Sequence, residues 1–162
     1  MDGATVKLHL FTCSTSIEAG DLMDIEEALS GSEVKVISLP CSGKAMIPYL
    51  LKAFEKGAAG VVVCACPESQ CKHLEGNLRA SRRAESVARL LDEIGFGKGR
   101  VLVVTKEPGG IEELLDGIRR LQAVGSVPVG ASNDVPDGAR ANEPGRTVLT
   151  SGWMGQRREN AA

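Results

Sequence analysis

The sequence is poor in several features that mark common functional classes. Only 3% of its 162 residues are aromatic, so we expect no platform of rings that stacks single-stranded bases. The net charge of −2 lacks the basic excess that is typical of nucleic-acid binding. The longest nearly apolar run, 57–66, is about half as long as the roughly 20 residues of a membrane span. The amino-terminal residues do not read as a signal peptide, so we expect a cytoplasmic protein.

Cysteine, in contrast, is frequent for such a chain, which contains five. Cytoplasmic thiols are usually kept reduced, so a disulfide scaffold is a poor explanation. An odd number of cysteines also cannot pair completely within one chain. The cysteines therefore indicate metal binding or redox chemistry.

Short apolar runs alternate with amphipathic helical patterns along the first three quarters of the sequence. The runs are Val6–Phe11, Val34–Leu39, Gly60–Cys64 and Arg100–Thr105. The helical stripes centre on Ile25, Leu50, Leu91 and Ile118, and the glycines placed at helix ends are Gly31, Gly57 and Gly95. This order predicts an α/β fold: a small open doubly wound parallel sheet of about four strands, in the order 2-1-3-4, with helices on both faces.

The composition changes near Gly125, where glycine and proline become frequent and apolar residues sparse. We therefore expect an α/β domain over 1–124, which contains all five cysteines, and an extended tail over 125–162. Such a tail is typically a flexible extension. An alternative is an arm that binds a partner subunit through Trp153 and Met154.

Four cysteines follow the predicted ends of three strands. Cys13 follows the first strand, Cys41 the second and Cys66 the third, and Cys71 lies in the next loop. The carboxyl ends of parallel strands share one edge of a sheet, where sites are built in open α/β folds. We therefore expect these four thiols to converge.

The spacing of the cysteines leaves the chemistry open between iron–sulfur, zinc and thiols without metal. Structural zinc sites favour two close cysteine pairs, and only Cys66 and Cys71 form one here. A [2Fe–2S] cluster is compatible with one pair and two single ligands. Cys64 lies two residues before Cys66 and so on the same side of the strand. It is interpreted as a small buried hydrophobe, with a role as an alternative ligand left open.

Groups that could stabilise charge at such a site are also present. Backbone N–H groups of Ser42, Gly43 and 68–70 are candidate donors to sulfur, and the second and third helices are expected to direct their amino ends there. The second helix is placed directly after Cys41, and Asn77 is interpreted as the N-cap of the third. The candidate cations are Lys44, Lys72 and Arg79. For Arg79, Arg82 and Arg83 on the third helix, the alternatives are a solvated helix face and a surface that docks a partner. His9 is interpreted as a core residue.

Several motifs together resemble the methyl-viologen-reducing hydrogenase delta subunit family. They are Phe11-x-Cys13, Pro40-Cys41-Ser42-Gly43, Ala53-Phe54-x-x-Gly57-Ala58-x-Gly60-Val61, Cys66-Pro67-x-x-x-Cys71, Gly76-Asn77, Leu90-Leu91-x-x-x-Gly95 and Arg100-Val101. The resemblance covers about residues 6–107. It implies that the α/β domain is an iron–sulfur domain, with a [2Fe–2S] cluster whose irons are bound by Cys13, Cys41, Cys66 and Cys71. It also implies electron relay between a hydrogenase or similar redox module and a flavin-containing subunit of heterodisulfide-reductase-like complexes.

Two positions depart from the family pattern. Ser16 stands where the family often has a second amino-terminal cysteine, and Lys72 separates Cys71 from His73. A direct role for His73 is therefore not expected.

The leading hypothesis is an electron-transfer subunit with no catalytic residues of its own, because catalysis would belong to the whole complex. Two alternatives remain: a structural zinc module for assembly, and a thiol–disulfide oxidoreductase that uses Cys66 and Cys71.

Overall fold

A computed structural model describes residues 5–29, 31–67, 70–107 and 110–126 of the chain. Strands and helices alternate through these residues, as the apolar pattern predicts. The strands are β1 Val6–Cys13, β2 Ser32–Leu39, β3 Gly60–Ala65 and β4 Val101–Thr105. The helices are α1 Ala19–Ala28, α2 Ile47–Glu55, α3 Gly76–Glu93 and α4 Glu112–Gly125, and a 3₁₀ helix at Ser42–Lys44 precedes α2.

The four strands form one parallel sheet in the order β2-β1-β3-β4. The register pairs Leu8 of β1 with Val34 of β2 on one side and with Gly60 of β3 on the other. All six residues of β3 are buried, which is why that strand reads as a continuous apolar run. The predicted strand order is confirmed.

Each face of the sheet carries its own apolar core. Val61 and Val63 of β3 pack in the core that contains the buried residues of α2 and α3. Val62 and Cys64 alternate with them and pack in the core that contains those of α1 and α4. Helices therefore cover both faces, which confirms the doubly wound α/β fold.

The glycines that the sequence places at helix ends adopt left-handed backbone conformations. Gly31, Gly57 and Gly95 have φ values of 103°, 86° and 76°, which glycine adopts at little cost. Helix α4 ends at Gly125, and the predicted tail lies outside the described residues apart from its first two positions. No helix in the described ranges is long and apolar enough to cross a membrane.

Candidate functional site

The four predicted site cysteines meet at the carboxyl edge of the sheet. Cys13 ends β1, Cys41 and Cys66 follow the ends of β2 and β3, and Cys71 lies in the loop before α3. All four line one cavity of about 200 Å³. The expected convergence of these thiols is therefore present in the structure.

Within the cavity the sulfur atoms are arranged in two pairs. The thiol of Cys66 donates to Sγ of Cys13 at 3.3 Å. The thiols of Cys41 and Cys71 are hydrogen-bonded to each other. Among the described residues, no group of three or more His, Cys, Asp or Glu side chains is arranged around a single point as ligands of one ion.

Hydroxyl and backbone groups are hydrogen-bonded to the Cys13–Cys66 pair and to Cys41. Oγ1 of Thr15 lies 3.1 Å from Sγ of Cys13 and 3.2 Å from Sγ of Cys66. The backbone N–H of Ser42 donates to Cys13, and that of Gly43 donates to Sγ of Cys41 at 3.4 Å. The predicted donors Ser42 and Gly43 are confirmed, whereas the Thr15 hydroxyl has no counterpart in the sequence-based prediction.

The predicted donor segment 68–70 has a different outcome. Residues 68 and 69 lie outside the described ranges. The N–H of Gln70 donates to the carbonyl oxygen of Pro67 at 3.0 Å rather than to a sulfur, because the chain turns there.

These contacts change the acidity of the two paired thiols in opposite directions. Burial acts to raise the pKa of Cys13, but hydrogen bonds from Thr15, Cys66 and the Ser42 backbone outweigh it, so the pKa is lowered. Burial raises the pKa of Cys66, and the hydrogen bond that its thiol donates to Cys13 raises it further. The hydrogen bond with the Thr15 hydroxyl lowers the pKa but does not outweigh these two effects. The pair therefore favours a thiolate at Cys13.

The amino end of α3 points at Cys71, as predicted for the third helix. Burial acts to raise the pKa of Cys71, but the backbone N–H groups of Asn77, His73 and Gly76 donate to its sulfur, as does the Cys41 thiol. Together these donors lower the pKa of Cys71 below its ordinary value. Backbone N–H groups at a helix start are suited to an anionic sulfur.

Two local predictions around this edge are wrong. Helix α2 begins at Ile47 and not directly after Cys41, because residues 42–44 form a 3₁₀ turn whose N-cap is Cys41 itself. Asn77 is not the N-cap of α3, which is Glu75. The Asn77 side chain instead donates to the carbonyl oxygen of Cys66 at 3.2 Å and so ties α3 to the loop after β3.

Two glycines allow the 3₁₀ turn and α3 to approach each other closely. A Cβ atom on Gly43 would lie 2.9 Å from Cα of Gly76. A Cβ atom on Gly76 would collide with Sγ of Cys41 and lie 3.3 Å from Sγ of Cys71. Arg83 of α3 donates to the carbonyl oxygen of Gly43 and holds the same contact.

Cys64 lies apart from the cavity, in the core between the sheet and α1 and α4. Its side chain is fully buried, and this burial raises its pKa to about 11 in spite of a hydrogen bond with Ser16. The Ser16 hydroxyl also donates to the carbonyl oxygen of Cys13 at 3.0 Å. Cys64 is therefore the small buried hydrophobe that the sequence predicts.

The charged residues near the site divide into exposed and buried groups. Lys44 and Lys72 are exposed, and Arg79 forms an exposed ion pair with Glu75 at 3.4 Å. Lys106 is almost fully buried and pairs with Asp21 of α1, with Nζ and Oδ2 separated by 3.0 Å. No sequence pattern indicates this buried pair, because its partners come from distant elements.

The two histidines differ in position. His9 is largely buried in β1, as predicted. His73 is exposed and lines the cavity, and its backbone N–H rather than its ring is the group that contacts Cys71.

Comparison with known proteins points to one family. A family model described as methyl-viologen-reducing hydrogenase, delta subunit, matches residues 8–124. The iron-sulfur subunit of the F420-non-reducing hydrogenase vhu of Methanocaldococcus jannaschii is 39% identical over 83 residues, which are 51% of this chain and 62% of that protein. The protein of the same name from Methanococcus maripaludis is 31% identical over 110 residues, 64% of this chain and 82% of that one. The first match thus spans less than two thirds of the relative.

A relative of a second kind is a much longer protein. It is one of the subunits of the ferredoxin/F(420)H(2)-dependent CoB-CoM heterodisulfide reductase of Methanosarcina acetivorans, and it is 28% identical over 92 residues. The matched segment is 56% of this chain but only 12% of that protein.

Proposed function

Because the chain belongs to the methyl-viologen-reducing hydrogenase delta subunit family, we propose that it is an electron-transfer subunit that holds one [2Fe–2S] cluster. Cys13, Cys41, Cys66 and Cys71 would be the iron ligands. When bound, such a cluster takes up and releases single electrons. The observation that carries the proposal is the meeting of four thiols, in two pairs, at one cavity.

The donor set of the cavity fits this group. Structural zinc sites favour two close cysteine pairs along the sequence, and only Cys66 and Cys71 form one here. A [2Fe–2S] cluster is held by four thiolates shared between two irons, which two pairs of sulfurs match. Thiolates are the ligand form, and the pKa values of Cys13 and Cys71 are both lowered by hydrogen bonds that outweigh burial.

The surroundings of the sulfurs also suit a buried negative charge. Backbone N–H groups from the 3₁₀ turn and from the start of α3 donate to Cys13, Cys41 and Cys71.

The proposed partners follow from the names of the relatives. Two of them are iron–sulfur subunits of hydrogenases, and a third belongs to a heterodisulfide reductase and contains a matching segment. We infer that this chain relays electrons between a flavin-containing, heterodisulfide-reductase-like partner and another redox module of a large complex. The longer relative supports this inference, because it contains a segment similar to this chain within a heterodisulfide reductase subunit. Two proteins that act together are often found joined in one longer chain.

Anaerobic purification with metal analysis tests the proposal. We expect a coloured protein with about two irons and about two labile sulfides per chain, and a spectrum that changes reversibly on reduction. A colourless protein with one zinc would overturn it in favour of the structural zinc module.

A thiol–disulfide oxidoreductase is the second candidate, and one observation favours it. The 3.3 Å contact and the opposite pKa shifts of Cys13 and Cys66 are features of an exchanging pair. That pair differs from the Cys66 and Cys71 pair suggested by the sequence. A metal-free protein that turns over dithiols would support this candidate.

A further inference from the structure

A second, larger groove opens beside Cys41 and Cys71 and is strongly basic. Its described lining residues include four cationic side chains and no carboxylate. We call the surface formed by these cations and two neighbouring apolar residues the basic face; it consists of Lys44, Met46, Lys72, Leu74, Arg79 and Arg83. Glu75 neutralises only Arg79 among them through an ion pair. The chain as a whole has a net charge of −2, so positive charge is concentrated here against the overall balance.

Leu74 gives the basic face an apolar centre at a conformational cost. The Leu74 side chain is 85% exposed. Its φ of 60° lies in the left-handed region, which residues other than glycine rarely adopt. For a leucine this conformation costs about 1–2 kcal/mol. Met46 on the same face is 45% exposed. Leu74 and Met46 thus add exposed apolar surface to the cationic groove.

We propose that the basic face docks an acidic redox protein, one that presents carboxylates around an apolar patch. This inference rests on the proposed function, because the docked protein would exchange electrons through the sulfur site. Cys41 and Cys71 line the cavity, and Cys41 lines the groove as well, so a protein seated on this face would lie next to the proposed ligands. Complementary charge would steer the encounter and fix its orientation.

A competing explanation is that the cations only compensate the charge of a buried centre. The two explanations predict different electron-transfer rates to acidic and to basic acceptors. Loss of a compensating cation makes the centre more reducing and speeds transfer to every acceptor. Loss of a docking cation slows transfer to an acidic acceptor and speeds transfer to a basic one.

Stopped-flow mixing of the dithionite-reduced full chain with two acceptors separates these outcomes. The acidic copper protein plastocyanin and the basic haem protein cytochrome c serve as probes. We expect the wild-type chain to reduce plastocyanin faster at low salt, with a rate that falls as salt screens the attraction. Lys72→Glu and Leu74→Asp should each slow this reaction by about tenfold and leave the reaction with cytochrome c unchanged or faster.

Lys98→Glu is the matched control. It makes the same change in net charge as Lys72→Glu at an exposed lysine, which precedes β4 and so lies at the opposite edge of the sheet. At about 0.1 M salt, where the Debye length is about 10 Å, it should keep the plastocyanin rate within about twofold of wild type, because Lys98 does not line the groove. Equal effects of Lys72→Glu and Lys98→Glu, or a wild-type chain without preference between the probes, would overturn the docking proposal.

Failure of the proposed function would be visible before mixing. A wild-type chain that contains no iron and sulfide, or that dithionite cannot reduce, contradicts the electron-transfer function itself. A loaded and reducible chain without charge preference contradicts only the basic face.

Discussion

Thr15 stands between two of the proposed ligands and can donate a hydrogen bond to either. Its hydroxyl oxygen lies 3.1 Å from the sulfur of Cys13 and 3.2 Å from that of Cys66. A hydrogen bond to a thiolate favours the more negative, reduced state of an iron–sulfur site, since it stabilises the added charge. Thr15 would therefore act on the reduction potential through the ligands and not by binding iron.

Replacing Thr15 by valine tests this role, because valine keeps the shape and removes the hydroxyl. We expect a lower midpoint potential in a redox titration, with about a tenfold smaller equilibrium constant for reduction, or about 59 mV for one electron. Thr15→Ser should restore the wild-type potential.

The neighbouring Ser14 provides the control for this experiment. Its hydroxyl is exposed and donates to the carbonyl oxygen of Pro40 at 3.3 Å. Ser14→Ala should leave the potential unchanged. A wild-type potential in Thr15→Val would show that the hydroxyl does not act on the sulfurs.

The amino end of α3 is the element that closes the site. Gly76 allows the helix to contact Sγ of Cys41, and Asn77 binds the carbonyl oxygen of Cys66. From sequence, Asn77 fits an N-cap because asparagine is common there. In the fold it makes a tertiary contact instead, which local sequence cannot specify. The 3₁₀ turn after Cys41 is a second example, because the Cys41 side chain caps this turn and the apolar helix pattern does not predict it.

Gly76→Ala tests the importance of this close approach. Alanine is the better helix former, so without the clash the substitution would not weaken α3. We expect instead that the added methyl group displaces Cys41 and that bound iron and sulfide are lost. The measurement is the iron and sulfide content of the purified chain, with circular dichroism to show that the helices are retained.

Gly20→Ala in α1 is the matched control, because a Cβ atom there would meet nothing within 4 Å. It should keep full iron content and leave the free energy of unfolding unchanged or higher, by at most about 0.5–1 kcal/mol. Full iron content in Gly76→Ala would contradict the packing argument.

Strand β1 contains a buried histidine that makes stability depend on pH. Burial lowers the pKa of His9, as do the charges of Lys35 and Lys56, against an opposing effect of Glu33. The unfolded chain therefore binds a proton on His9 at a higher pH than the folded chain does. The contribution of neutral His9 to the free energy of unfolding is therefore fully present above the ordinary pKa of about 6.5. It is lost as the pH falls through the pKa of His9 in the folded chain.

The comparison of wild type with His9→Gln isolates this contribution. Between about pH 7.5 and about pH 5.5, the free energy of unfolding of wild type should fall more steeply, by up to about 1.4 kcal/mol per pH unit. Chemical denaturation at each pH gives both curves. Parallel curves would contradict the assignment of the pH dependence to His9.

The fold and the location of the site follow from properties that the sequence displays directly. Buried apolar runs such as 60–64 and the apolar stripes of α2 and α4 predict the alternation of strands and helices. Because the strands are parallel, the residues that follow them lie at one edge of the sheet. The sulfur pairing, the contact of Thr15 and the ion pair of Lys106 with Asp21 could not be predicted, because they depend on side chains that only the folded chain brings together.

The comparison of Cys41→Ala with Cys64→Ala addresses the central claim most directly. Both variants remove one thiol from the same full chain, but Cys41 lines the cavity and Cys64 lies in the core. The proposal predicts that anaerobically purified Cys41→Ala lacks iron, labile sulfide and the visible spectrum, whereas Cys64→Ala keeps most of all three. An unchanged spectrum in Cys41→Ala together with a lost spectrum in Cys64→Ala would contradict the assigned ligands.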